Sequence, residues 1–238
     1  MNQVVLADPR RVGIVAAELN ADRLAARPRA RLLLPTGRTP DGMYTALRDM
    51  ALESAGATVL QLDEYAGVPP GDPRSFAAQL RAALAGIPLR AVLALDGAAS
   101  DRAAEAARHA AAVARAPVDV AVLGLGRNGH VAFNEPPAEV VAGVLEVELT
   151  TATREDAAPA FGGLAHVPTH ALTVGLGTLR AARELLLLVT GAAKADALRA
   201  MLEGPVGGDC PASLLRDHPH LTVLCDEAAA GLLRRSAA

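Results

Sequence analysis

Asn128, His130, Asn134 and Glu135 fall within eight consecutive residues of the stretch AVLGLGRNGHVAFNEP, Ala121–Pro136, with small and apolar residues between them. A histidine exchanges protons near neutral pH, and a neighbouring carboxylate or amide can fix its tautomer. The run Val118–Leu123 that precedes them is short, apolar and stopped by two glycines, which predicts a buried parallel strand. In open α/β sheets the loop leaving such a strand is where ligands bind. The same glycines make a poor dinucleotide signature, because GLGRNG lacks a third glycine opening a helix and Pro136 soon follows. Nucleotide binding is therefore not the expectation.

Three further places carry chemistry. Asp63 and Glu64 close the apolar run Thr58–Leu62 and can aim one carboxylate into a crevice and the other away. Read alone, the pair equally suits a helix cap or a solvated loop. The turn PTGRTP, Pro35–Pro40, lies between an apolar strand and a helix start. Thr36, Gly37, Arg38 and Thr39 there offer free backbone N–H groups and a fixed guanidinium charge, the ingredients of an anion site. By itself it is also an ordinary strand-to-helix turn. Lys194 is the only lysine among 23 basic residues. In the first turn of a helix its charge opposes the helix dipole, whereas beside a bound anion the two cooperate. Such local conflicts mark functional positions.

The elements that must position these groups alternate along the chain. Asp8-Pro9 reads as the cap and first position of a helix to about Ala26. Strands are expected at Arg31–Leu34, Thr58–Leu62, Ala91–Leu95, Val118–Leu123, Ala171–Val174, Glu184–Thr190 and Leu221–Cys225. Helices are expected at Asp41–Ser54, Arg74–Leu84, Ser100–Arg115, Leu179–Arg183 and Ala212–Asp217, after Gly191, and from Asp226. Between Pro137 and Thr169 the signals weaken. Val144–Leu149 reads as a strand, and Thr150–Pro168 mixes Pro, Gly and Ala without a period, so 137–169 is expected to be a flap or lid. With no repeat and no linker, residues 1–238 are expected to form one domain. The fold class is α/β, an open, mostly parallel, Rossmann-like sheet with helices on both faces. Its strand ends would bring Thr36–Thr39, Asp63, Asn128–Glu135 and Lys194 to one crevice.

Composition narrows the function classes. Hydrophobic residues make up 51% of the 238 and aromatics only 2%, so Ala, Leu and Val must fill the core. A net charge of −3 exerts no overall pull toward nucleic acid or an anionic membrane, so an anionic ligand must be held by local charges. No apolar run reaches the roughly 18 residues that span a bilayer, and the N-terminus lacks a secretion-signal core. Cys210 and Cys225 lack metal-ligand spacing and read as buried thiols rather than a disulfide. The expectation is a cytoplasmic protein with no nucleic-acid, membrane or metal partner.

PTGRTPDGMY, LDEYAGVPPGDPRSF, GLGRNGHVAFNEP and ALTVGLGTL…TGAAKADAL resemble, in that order, the signatures of the glucosamine-6-phosphate deaminase family. That family is related in fold to 6-phosphogluconolactonases and ribose-5-phosphate isomerases. The resemblance runs from about Leu32 to Glu227 and is poor only over Pro137–Thr169. It implies conversion of an amino-sugar phosphate and water into a ketose phosphate and ammonia, without metal or cofactor. The enzyme would be an amino-sugar-phosphate deaminase/isomerase of the hydrolase class, with a small-molecule sugar phosphate as partner, and a monomer or small homo-oligomer. Asp63 matches the base that takes the C2 proton and returns it at C1. His130 matches the residue that assists ring opening, and Asn128 and Glu135 match the groups that position and polarise it. Thr36, Gly37, Arg38, Thr39 and Lys194 fall on the phosphate-binding elements.

This chain departs from the family pattern in three places. The family's PTGGTP is PTGRTP, the phosphate-binding arginine of the flap falls near Pro159, and Asn128 stands where some members have Asp. Arg38 either supplies the missing charge or shrinks the pocket for another sugar. The flap also lacks the basic residues by which regulated hexameric members bind an allosteric amino-sugar phosphate, so no such activation is expected. Two competing readings remain: lactone hydrolysis of the 6-phosphogluconolactonase kind, with His130 activating water, and a non-catalytic sugar-phosphate sensor. A sensor needs neither Asp63 nor His130.

Overall fold

The structure, a computed structural model, describes residues 1–50, 52 and 54–234. Strand β1 (Asn2–Leu6) is followed by helix α1 (Pro9–Ala26), which starts where the Asp8 carboxylate accepts the Arg11 N–H at 2.8 Å. Strand β2 (Arg31–Leu34) leads through Gly37 into α2 (Arg38–Arg48). Strand β3 (Thr58–Gln61) passes after one residue into β4 (Asp63–Tyr65). Next come α3 (Phe76–Ala83), β5 (Ala91–Leu93), α4 (Arg102–Ala114) and β6 (Val120–Gly124). The second half holds β7 (Val144–Glu148), α5 (Thr151–Phe161), β8 (His170–Val174), α6 (Leu176–Arg180), β9 (Glu184–Val189), α7 (Ala195–Glu203) and β10 (Leu221–Asp226).

Seven strands pair in parallel in the order β1-β10-β9-β6-β2-β3-β5. Both faces of this sheet are covered, which explains why its central strands read as unbroken apolar runs. On β9, Leu186 and Leu188 pack with α1, α2 and α3, while Leu185, Leu187 and Val189 pack with α4, α6 and α7. The expected α/β class, a mostly parallel Rossmann-like sheet with helices on both faces, is what the chain forms.

A second sheet of three antiparallel strands, β4-β8-β7, was not expected. The chain leaves the parallel sheet at Leu62, and Asp63 pairs with Thr173 of β8 instead. Strand β1 was also not expected. It is a short, largely exposed edge strand whose alternation is too brief to read.

Several boundaries shift as well. Helix α2 starts at Arg38 rather than Asp41 and ends at Arg48; Ala51 and Glu53, within the expected helix, lie outside the described residues. Helix α6 occupies Leu176–Arg180 rather than Leu179–Arg183. The helices expected at Ala212–Asp217 and after Asp226 are single 3₁₀ turns, Pro211–Leu215 and Ala229–Leu232. The stretch 137–169 holds β7 and α5. Thr150 caps α5, and Gly162 ends it in the left-handed conformation, at φ 74°.

Candidate active site

Four loops at the carboxyl ends of parallel strands, or just beyond them, enclose a cleft of about 190 Å³. Its walls include Thr36, Gly37, Arg38, Thr39, Asp63, His130 and Lys194, together with Phe76 and Phe133. Asn128 and Glu135, also singled out from the sequence, lie behind His130 rather than on the wall.

Asp63 is 7% exposed, and among the described residues its carboxylate has no hydrogen-bond donor. Burial, and next the charge of Glu64, push its pKa up to about 8. Glu64 points the other way and is fully buried. It accepts the N–H groups of Tyr65, Phe76 and Ala77 at 2.7–2.9 Å and Gln61 Nε2 at 3.1 Å, which ties β4 to the start of α3. Gln61 Nε2 also donates to the Asp63 carbonyl at 2.7 Å, and Gln61 Oε1 accepts the Leu95 N–H at 3.0 Å. This buried clamp fixes the backbone from which Asp63 faces the cleft.

His130 lies with Nδ1 3.3 Å from Glu135 Oε2 and 3.4 Å from Thr153 Oγ1. Glu135 Oε2 also accepts Asn128 Nδ2 at 2.7 Å and Thr150 Oγ1 at 3.2 Å. Burial raises the Glu135 pKa, but hydrogen bonds from His130, Thr153 and Asn128 outweigh it and hold the carboxyl below its usual value. An ionised Glu135 assigns the Nδ1–H tautomer to a neutral His130 and leaves Nε2 free for proton transfer. Asn128 acts twice, since its Oδ1 accepts the His130 N–H at 3.2 Å. The imidazole stacks on Gly126, where a Cβ would stand 2.4 Å from the ring. Only glycine allows that approach. Asn134, the remaining polar residue of the motif, is structural: its Nδ2 donates to the carbonyls of Val131 and Val174 at 3.0 Å.

The opposite wall is cationic. Gly37, at φ 105°, turns the chain into α2 and exposes the N–H groups of its first turn. Arg38 stands at that first turn, Thr39 Oγ1 lies 3.3 Å from Thr190 Oγ1, and buried Thr36 Oγ1 has no partner among the described residues. Lys194 ends a 3₁₀ turn and caps α7, one position before the helix rather than within it. Its turn is held by Asp226, whose carboxylate accepts the Gly191 N–H at 3.0 Å. Burial lowers the Lys194 pKa.

Sequence reasoning missed Thr150, Thr153, Gln61 and Asp226. Each acts through a contact with a residue distant in sequence or through a buried backbone group. The aromatic residues were a usable signal. The chain has only two Tyr and three Phe, and Tyr65, Phe76, Phe133 and Phe161 cluster beside the cleft, with Tyr65 within 5.1 Å of the other three rings.

Comparison with known proteins adds the family. The model of glucosamine-6-phosphate isomerases and 6-phosphogluconolactonases matches residues 10–224. A glucosamine-6-phosphate deaminase of Streptomyces coelicolor is 42% identical over 243 residues, spanning 98% of this chain and 93% of that protein. The solved structure of a monomeric glucosamine-6-phosphate deaminase is 34% identical, with a TM-score of 0.93 over 98% of this chain and all of that one. A 6-phosphogluconolactonase from Trypanosoma brucei shares the fold at a TM-score of 0.77 and 22% identity, covering 98% of each chain. A cleft with a buried carboxylate, an oriented imidazole and a cationic wall, carried on this sheet and by these relatives, marks the chain as a member of the glucosamine-6-phosphate isomerase/6-phosphogluconolactonase family.

Proposed function

We propose that this chain is an enzyme that deaminates and isomerises an amino-sugar phosphate, glucosamine 6-phosphate or a close isomer, to a ketose phosphate and ammonia. One observation carries the reading: a carboxylate with a pKa near 8 and a Glu135-oriented imidazole line the same small cleft, opposite Lys194 and the start of α2. The sugar phosphate anchors on Thr36, Gly37, Arg38, Thr39 and Lys194. His130 accepts the proton of the anomeric hydroxyl and donates one to the ring oxygen, opening the ring. Asp63 takes the C2 proton, a proton of the C2 ammonium passes to the aldehyde oxygen as the double bond shifts, and Asp63 returns its proton to C1. The resulting C2 iminium takes up water and expels ammonia. Net uptake of water is the sense in which a hydrolase label applies; the relatives' names record deamination and isomerisation.

A carboxyl that titrates near the working pH suits both halves of this transfer, because it must accept and then give up one proton. Lactone hydrolysis would not need it. Residues 1–238 would work as one domain, a monomer or small homo-oligomer, with 137–169 covering the cleft. The free thiols Cys210 and Cys225 suit a reducing compartment such as the cytoplasm. No helix among the described residues is long and apolar enough to cross a membrane.

Ammonia release from glucosamine 6-phosphate, with solvent deuterium appearing at C1 of the product, tests the reaction. Hydrolysis of 6-phosphogluconolactone without ammonia release would overturn it. Arg38 is read as the replacement for the family's flap arginine. Arg38→Gly should then raise KM for the phosphorylated sugar about tenfold, the equivalent of one charge-assisted contact; an unchanged KM refutes that role.

A further inference from the structure

Arg127 lies in the catalytic loop between Gly126, which supports the His130 ring, and Asn128, which feeds Glu135. Its side chain turns to α5, where Nε donates to Asp156 Oδ2 at 2.9 Å and Nη2 donates to Oδ1. Asp156 follows Thr153 by three residues, which places both on one face of α5. Thr153 is the α5 residue that approaches His130 Nδ1. The Arg127–Asp156 pair therefore bridges the loop and the helix beside His130, just outside the residues that line the cleft.

The charges beyond this pair are unbalanced. Lys194 lines the cleft, and the charged groups whose fields reach it are Asp156, Arg127 and Arg38. Lys194 thus feels two further cations and one carboxylate, and among the described residues neither Arg38 nor Lys194 has an ion-pair partner. Asp156 is the one carboxylate among the charges that act on Lys194, beside which the proposed function, on which this inference rests, seats a dianionic phosphate.

We propose that Arg127 is a phosphate ligand that exchanges the Asp156 carboxylate for the phosphate of the substrate, and that Asp156 competes with that phosphate. The pair is accessible enough to exchange: the side chains of Arg127 and Asp156 are 50% and 43% exposed. Ion pairs so exposed contribute little to stability, so opening this one costs little. A phosphate offers the guanidinium the same two-pronged geometry with more charge than a carboxylate. A phosphate seated in the cleft would also be held by Lys194 and Arg38, which line it, so the exchange would move Arg127 toward the stronger anion. Asp156 then holds the guanidinium in readiness and weakens binding by the same competition.

The alternative is a latch that holds α5 over His130 and never touches the ligand. The two ideas predict different signs. Inorganic phosphate and glucosamine 6-phosphate are titrated calorimetrically into the unmodified protein, Arg127→Ala and Asp156→Asn, with thermal melts to confirm folding. Exchange predicts about tenfold weaker binding for Arg127→Ala, and binding tightened about threefold for Asp156→Asn, which keeps the side-chain size. A latch predicts that both substitutions weaken binding. That result, an unchanged affinity in Asp156→Asn, or failure of the unmodified protein to bind either probe, overturns the proposal. The Asp156→Asn arm decides the sign even if Arg127→Ala does not fold. Ammonia release by the unmodified protein is measured in parallel. Its absence with phosphate exchange intact would overturn the proposed reaction and leave the exchange standing.

Discussion

As the proposed base, Asp63 would draw its reactivity from where the backbone puts it. A carboxyl at 7% exposure without a hydrogen-bond donor, beside the buried Glu64, is a weak acid and so a base able to act near neutral pH. The acid limb of kcat/KM should therefore lie near pH 8, well above the ordinary carboxylate range. Asp63→Asn should lower kcat by about 10²–10⁴-fold and leave ligand binding in place. Retention of most of the turnover would remove Asp63 from the mechanism. His130 depends on a neighbour without a side chain. In Gly126→Ala the added methyl would meet the ring at 2.4 Å and push it off Glu135. Displacement on that scale should reduce kcat about 10²-fold with little change in KM. A kinetically normal variant would show that the ring's position is not critical.

Among the elements, α5 has the most to do for its length. Thr150 and Thr153, at its start, contact Glu135 and His130, and Phe161, at its end, packs against Tyr65 at 5.1 Å and lies under the Arg74 guanidinium at 5.5 Å. The aromatic cluster thus fastens the helix that orients the imidazole. Phe161→Ala should destabilise the protein by about 3 kcal/mol, at the low end for a buried Phe because 7% is already exposed. The same variant should lower kcat by letting α5 move. Urea melts and steady-state kinetics measure the two effects, and a destabilised but fully active protein would separate α5 from the chemistry.

For the whole molecule, the site has a cost that shows in the pH dependence of stability. Folded Asp63 keeps its proton up to about pH 8, whereas in the unfolded chain it loses it near 4. Between those values the native state binds more protons, so Asp63 makes stability fall as pH rises. Glu135 acts in the opposite sense: its lowered pKa contributes stability above the unfolded value that is lost as pH falls through the folded one. Asp63→Asn removes the first effect. Its melting temperature relative to the parent should therefore be more favourable at pH 8 than at pH 5, by about 2–4 °C for each kcal/mol. A difference that does not change with pH would contradict the buried, protonated state of Asp63.

The candidate residues that share the cleft, and the strands that carry them, were legible because their signals are local. A strand buried on both faces is apolar along its buried length, as in LLLLV at Leu185–Val189, and a helix start such as Asp8-Pro9 is written in two residues. Asp63, His130 and Lys194 stood out by type and placement, and the family signatures joined them. What the sequence left open depends on partners across space. The departure of β4 from the parallel sheet to pair with β8 is a choice of neighbour, which no local pattern records. Helix α5 was hidden by Pro159 and a run of Ala and Thr, and it persists because packing against Tyr65 and Phe133 replaces the missing periodicity. The high pKa of Asp63 and the pairing of Arg127 with Asp156 arise from desolvation and from distances between residues far apart in the chain. Burial and proximity are properties of the folded state, and they decided how residues that the sequence had already named can act.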